Sequence, residues 1–290
     1  MIYTNLLNML MGFMVTFLAK MNAQGVSLNR AQLTAWYPDF ETQTQIELWG
    51  KNIFSIDTNT FEGLKHITFL SIRFNRLTNI PLRTFDSLAN LNFLYLAENQ
   101  IFFINPQMFV NLKSLTNLDL SDNKLTNLPS DSFDSLNNLN YLYLDKNQLI
   151  IPLGLFDSLS NLYKLVLSNN QLTQINARMF FNLKSLDLLN LSNNKLTSIP
   201  VNTFDSLDNL VFLFLSNNQL TQLDAQIFSN LKSLTYLSLE NNNLISIDRL
   251  CFVGLIILER VTLGNNPITL TQPYFVQQLC STNPKCTIYI

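Results

Sequence analysis

From Ile46 onward the apolar positions obey one rule. Leucine, or Ile, Val or Phe in its place, recurs as Leu-x-Leu-x-x-Asn-x-Leu, for example Leu118, Leu120, Asn123 and Leu125. Aligning the chain on this Asn gives Asn75, Asn99, Asn123, Asn147, Asn170, Asn194, Asn218, Asn242 and Asn266. The spacing is 24 residues at every step except the 23 between Asn147 and Asn170. Ten residues past most of these Asn stands a Phe: Phe85, Phe109, Phe133, Phe156, Phe180, Phe204, Phe228 and Phe252. An earlier coil runs from Ile46-Glu47-Leu48 to Phe61, with Lys51 in the place of the Asn.

Leucines two apart have the period of a strand and point to one side of it. One such strand per coil, always run in the same direction, stacks into a parallel sheet, and the returning half of each coil must cover its inner face. The Phe supplies that cover as a buried spine, each ring hiding roughly 150–250 Å². The Asn follows the strand where the chain bends inward. Its amide both donates and accepts, so it can serve its own turn and the next coil. Four residues before each spine Phe stands Asp57, Pro81, Asn105, Pro129, Pro152, Asn176, Pro200, Asp224 or Asp248. Those residue types start turns and short helical pieces by side-chain capping or by fixing φ. Two flavours of coil alternate: Phe-Asp-Ser-Leu at Phe85, Phe133, Phe156 and Phe204, and Asn-Leu-Lys-Ser at Asn111, Asn182 and Asn230. A two-coil unit has been copied, with one residue lost near Ile150–Pro152.

This period, with Leu-Pro-x-x-x-Phe (Leu128, Pro129, Phe133) and Phe-Asp-x-Leu, resembles the extracellular "typical" subfamily of leucine-rich repeats. Toll-like receptor ectodomains, small leucine-rich proteoglycans and variable lymphocyte receptors are examples. The resemblance covers residues 44–268, about ten coils. It implies an α/β solenoid: a horseshoe with a parallel β-sheet on its concave face and loops, turns and short helical pieces on its convex face. It also implies a place outside the cell and a concave sheet that binds protein or glycan. The chain departs from the pattern at both ends. No Cys precedes Cys251, so an N-terminal cap at residues 24–43 must come from packing Trp36, Tyr37 and Phe40 over the first strand. Some cover is needed there, because an open sheet edge pairs with other chains. A C-terminal cap falls at residues 269–290, where only Cys280 and Cys286 stand in place of the family's four cysteines.

Residues 1–23 read differently. Leu10 to Ala19 form an apolar run of ten closed by Lys20, too short to span a membrane but of the length of a secretory signal core. Cleavage after Ala19 or Ala23 would release a secreted, extracellular protein; an uncleaved anchor is the alternative. No second stretch of spanning length and no lipid-anchor tail at the C-terminus follow, so no stable membrane span is expected once the signal is removed. Three cysteines leave one unpaired. We expect a Cys280–Cys286 disulfide, between the end of a last helix (273–279) and a short closing strand, with Cys251 a buried thiol beside Phe252.

Composition narrows the function. Charged residues are 13%, the formal net charge is −2, and the polar load falls on Asn, Ser, Thr and Gln. Such a surface cannot neutralise many phosphates, which argues against nucleic acid as a partner. The one histidine, His66, has no Cys or His cluster around it in sequence, and no glycine-rich phosphate loop or Gly-x-Ser-x-Gly elbow occurs. Neither an enzyme nor a metal or other cofactor is expected.

Residues between the inward leucines face out of the sheet and form two columns. One runs Phe69, Phe93, Asn117, Tyr141, Lys164, Leu188, Phe212, Tyr236, Arg260; the other Ser71, Tyr95, Asp119, Tyr143, Val166, Asn190, Phe214, Ser238, Thr262. Outward aromatics at this density mark an interaction surface. The candidate ligand-binding residues form two sub-patches. The first is Phe93, Tyr95, Tyr141 and Tyr143, bordered by Glu98, Asp119, Asp122 and Asp145; the second is Phe212, Phe214 and Tyr236. Ten strands give an arc of about 50 Å, enough for a protein footprint, and the acidic border favours Lys or Arg on the partner. Asn190-Leu191-Ser192, the one N-glycosylation sequon, lies between the sub-patches. Two readings of the whole follow. One is a secreted recognition module with a protein or glycan ligand. The other is an extracellular-matrix-type structural protein that self-associates.

Overall fold

The computed structural model describes residues 25–279, 283 and 285–290. The expected signal segment lies outside the described residues. Ten coil strands form one parallel sheet: β2 (Gln45–Glu47), β4 (Phe69–Ser71), β5 (Phe93–Tyr95), β6 (Asn117–Asp119), β7 (Tyr141–Tyr143), β8 (Lys164–Val166), β9 (Leu188–Asn190), β10 (Phe212–Phe214), β12 (Tyr236–Ser238) and β14 (Arg260–Thr262). An eleventh, β15 (Thr287–Tyr289), pairs parallel to β14 and continues the sheet. The C-terminal residues predict this closing strand but not its place in the sheet. Each strand is three residues long; the middle Leu, Ile or Val of the ten coil strands is buried, and Ile288 of β15 is half-buried.

Across every coil-to-coil step the register pairs equivalent positions, Leu118 opposite Leu142 and Leu142 opposite Leu165. The inward leucines therefore stack in files. Behind them Phe61, Phe85, Phe109, Phe133, Phe156, Phe180, Phe204 and Phe228 form the expected spine, all essentially inaccessible. Phe204 stacks on Phe180 and on Phe228, with ring centroids 6.4 and 6.1 Å away.

The ladder Asn do more than the sequence argument requires. Asn99 Nδ2 donates to its own Leu96 and Ala97 carbonyls and to Ile72 of the preceding coil, while its Oδ1 accepts from the Leu77 N–H. The same four-way arrangement recurs at Asn123 and at Asn242. Lost length is visible in the bonding offsets. Asn170 reaches back 21 residues to Leu149 where the other ladder Asn reach back 22, so the deletion falls in the outer loop between them. Phe156 and Asn170 stay buried across it, as stacking predicts.

The convex side is loops, short 3-10 pieces and small parallel pairings, β1 (Val26–Leu28) with β3 (Ile53–Ile56) and β11 (Gln222–Leu223) with β13 (Ser246–Ile247). The turn residues before the spine act as expected. Asn105, Asn176 and Asp248 accept from N–H groups two residues on. The carbonyls of Pro81, Pro129 and Pro200 accept from the hydroxyls of Thr84, Ser132 and Thr203. A second ladder was not anticipated. Asn90, Asn138, Asn161, Asn182 and Asn209 each donate to a carbonyl 24 or 25 residues earlier on the descending side. The Ser of Phe-Asp-Ser-Leu joins it: Ser135, Ser158 and Ser206 donate to the Phe carbonyl of the coil before.

At the N-terminal end, α1 (Arg30–Trp36) carries the buried Leu33, and Phe40 is buried with Trp36 and Tyr37 packed against the core. The Tyr37 hydroxyl donates to the Glu47 carbonyl of β2. At the other end lie two short helices, α2 (Pro267–Thr271) and α3 (Pro273–Gln278). Cys251 is a free, buried thiol as expected, and Cys286 is disulfide-bonded; Cys280 lies outside the described residues.

Candidate functional site

The pleat turns the residues flanking each middle leucine away from the core, and the in-register pairing lines them up across the sheet. Phe69, Phe93, Asn117 and Tyr141 stand opposite one another in one row, Ser71, Tyr95, Asp119 and Tyr143 in the next. The rings touch. Phe69, Phe93 and Tyr95 form a trio with centroids 5.4–6.4 Å apart, Tyr95 edge-on to both Phe rings. Phe214 and Tyr236 lie 5.3 Å apart in the second sub-patch. Phe93 and Phe212 keep 36% and 37% of their surface open, so these rings cover one another only in part.

Two cations also belong to the face. Lys164 Nζ sits 5.2 Å above the Tyr143 ring, and the Arg260 guanidinium lies 4.4 Å from the Tyr289 ring and 5.6 Å from Tyr236. The sequence columns contain Lys164 and Arg260 but give them no role, and they leave out Tyr289 because no repeat places β15 in the sheet. Tyr163, one residue ahead of its strand, adds a half-exposed ring edge-on to Tyr141 at 5.9 Å.

The acidic border is weaker than expected. Asp119 is only 8% exposed, and its carboxylate accepts from the Ser121 N–H and hydroxyl at 3.0 and 2.6 Å. It braces its own turn rather than facing a ligand. Asn190 does the same with Ser192. Glu98 pairs with Arg73 at 3.2 Å, and Asp122 with Lys146 at 3.7 Å. Asp145 is the acid under strain: desolvation by burial, with Asp119 and Asp122 nearby, raises its carboxyl above the ordinary range. Burial likewise pushes the Tyr95 and Tyr143 phenols up, helped by Asp119. Neutral phenols and one poorly solvated carboxylate thus share a patch with aromatic faces. That chemistry suits a ligand side chain carrying positive charge on an apolar stem.

Among the described residues no group of three or more His, Cys, Asp or Glu is placed to hold a metal ion, and no helix is long and apolar enough to cross a membrane.

A one-strand-per-coil solenoid with an aromatic concave sheet defines a class of repeat proteins, and the comparisons place the chain within it. The model for leucine-rich repeats matches residues 44–101, 94–149, 160–220 and 213–268, and the chain belongs to this family. Among solved structures it is similar to a leucine-rich-repeat protein of Leptospira interrogans: 30% identity, TM-score 0.68, covering 86% of this chain and 67% of that one. It is also similar to TLR13 in its complex with ssRNA13: 26% identity, TM-score 0.71, covering 82% of this chain but 38% of that chain. The leucine-rich-repeat domain of FLRT2, in an octameric complex with Latrophilin 3 and Unc5D, shares the fold at 24% identity and TM-score 0.67, covering 86% of this chain and 83% of that one. No curated protein sequence matches the chain.

Proposed function

We propose that the chain is a secreted, non-enzymatic recognition module that binds a protein ligand on its concave face. The carrying observation is the set of outward rings held in register on one sheet: Phe93 and Tyr95 on β5 and Tyr141 and Tyr143 on β7, with Asn117 and Asp119 of β6 between them, and Phe212, Phe214 and Tyr236 on the neighbouring β10 and β12. Aromatic anchors of this kind dominate interface energetics, and burying the still-open faces of Phe93 and Phe212 is the gain a ligand would bring. Asp145 favours a ligand that offers Lys or Arg to the first half. The FLRT2 domain in its complex with Latrophilin 3 and Unc5D is a precedent for a protein ligand on this fold. The TLR13 complex is a precedent for RNA, which the net charge of −2 here disfavours.

On this reading residues 1–23 are a signal, residues 24–43 and 269–290 cap the solenoid, and a Cys280–Cys286 disulfide closes the C-terminal cap in the oxidising space outside the cell. A glycan on Asn190 would divide the face between the two halves. The experiment is capture of a partner with residues 24–290, followed by binding to Tyr141→Ala/Tyr143→Ala/Phe212→Ala/Tyr236→Ala. A loss of at least roughly 100-fold in affinity is expected, since two anchors at about 2 kcal/mol each already exceed that. Unchanged affinity would remove the concave face from the proposal. Light scattering that finds a stable oligomer would favour self-association instead.

A further inference from the structure

The residue before each ladder Asn lies in the left-handed region. Phe74, Glu98, Asp122, Lys146, Asn169, Asn193, Asn217, Asn241 and Asn265 all have φ between 51° and 57°. Five of the nine are Asn, the residue that tolerates this conformation best, and three more are charged. Phe74 is the exception, a bulky ring where the backbone disfavours one.

That ring contributes nothing to the core. Phe74 is 55% exposed and stacks on Trp49, itself 57% exposed, with centroids 5.3 Å and planes 18° apart. Phe74 also lines a cleft of about 340 Å³ at the rim where β4 leaves the sheet. The cleft's other walls are polar: Asn52, Arg76, Glu98 and Asp122. Arg76 Nη1 donates to Asn52 Oδ1 at 3.4 Å, while Arg73 and Lys146 hold the two carboxylates from outside the cleft.

We propose that this rim is a saccharide-binding subsite, separate from the concave face. A sugar ring presents an apolar C–H face and a perimeter of hydroxyls. The first matches the exposed Phe74 ring, backed by Trp49. The second matches two carboxylate acceptors with a guanidinium and an amide, all within one cleft. Its volume is at the small end of ligand pockets, roughly 300–1,000 Å³, which suits one or two sugar units. A protein anchor would instead call for an apolar surround that excludes water, and charged groups fill that place here.

Trp49 provides the readout, since Trp36 is the only other Trp and packs against the core. The probes are cellobiose, lactose, maltose and N,N'-diacetylchitobiose, titrated at millimolar concentration while tryptophan emission is recorded. A saturable shift with at least one is expected. Phe74→Asn, which installs the residue five other coils use, should weaken that binding at least tenfold while the melting temperature holds or rises. Asp122→Asn, equally suited to the turn, should weaken it at unchanged melting temperature. No saturable response to any of the four would overturn the proposal, as would wild-type binding by both variants. A response to a proline-rich peptide with none to the sugars would overturn it in favour of a protein contact.

Discussion

Asn123 Oδ1 accepts the Ile101 N–H at 2.9 Å, a bond that ties the turn after one strand to the outer chain of the coil before it. The same amide donates to Leu96, Leu120 and Ser121. Replacing Asn123 by Leu keeps the volume and leaves the Ile101 N–H and three carbonyls without this partner. The Leu96, Leu120 and Ser121 carbonyls each keep a second donor, from Asn99, Asn147 and the Glu98 N–H, so the Ile101 N–H is the group left stranded. We expect Asn123→Leu to lose about 1–3 kcal/mol, the cost of one unpaired buried group. Denaturant unfolding followed by circular dichroism measures it, and a loss under about 1 kcal/mol would mean the ladder is decorative.

Most of this architecture is legible in the sequence because the same local problem is solved again in every coil. Period-2 leucines, the ladder Asn and the spine Phe each have one physical reading, and the repetition removes accidental matches. The site was legible in position but not in detail. Strand parity correctly sends Asp119 outward, yet it does not reveal that Ser121 captures the carboxylate; the shared pattern Asp119-x-Ser121 and Asn190-x-Ser192 was the available signal. The pairing of Arg260 with Tyr289 depends on β15 docking beside β14, a contact made through the C-terminal cap, where no repeat guides the register. Phe74 was invisible because φ is not written in a single coil. Comparing that column across coils would have exposed it.

Phe204 is a spine position with rings stacked on both sides, Phe180 and Phe228. Phe204→Ala should cost about 3–5 kcal/mol, the range for a fully buried aromatic. In a stack coupled only to nearest neighbours the gap should also weaken cooperativity, so the denaturant slope should fall along with the midpoint. Phe103→Ser, on the exposed convex side, is the control and should move stability by no more than about 0.5 kcal/mol.

Lys146 takes a left-handed backbone with φ +52°, where the later coils carry Asn. Its ion pair with Asp122 is exposed and long at 3.7 Å, so little is lost with it. Lys146→Asn should therefore stabilise the fold by about 0.5 kcal/mol, read as a higher unfolding midpoint.

Cys251 is inaccessible, and burial with Asp248 nearby pushes its thiol far up, out of the reactive range. Iodoacetamide should not label it in the native protein. Unfolded without reductant, the chain should take one equivalent, and with reductant three, matching its three cysteines. Three equivalents without reductant would rule out the proposed Cys280–Cys286 bond.

Asp145 carries the pH dependence most closely tied to the binding face. Desolvation raises its carboxyl in the folded state, so the folded chain holds the proton more tightly than the unfolded chain does. Ionising it therefore costs stability, and that cost is present in full only above the raised folded value. It shrinks as pH falls and is gone below the ordinary value of 3.8, where both states are protonated. Asp145→Asn should stabilise the protein at pH 7 by less than about 1 kcal/mol, because the group is partly exposed and solvent screens it. The gain should vanish near pH 3. The same variant should weaken a ligand that docks Lys or Arg beside Tyr143, giving opposite effects on stability and affinity in one protein. Urea titrations at several pH values read the first effect, and affinity for the captured partner at pH 7 reads the second. A gain that persists at pH 3 would trace to packing, and the desolvated carboxylate would lose its role in the site.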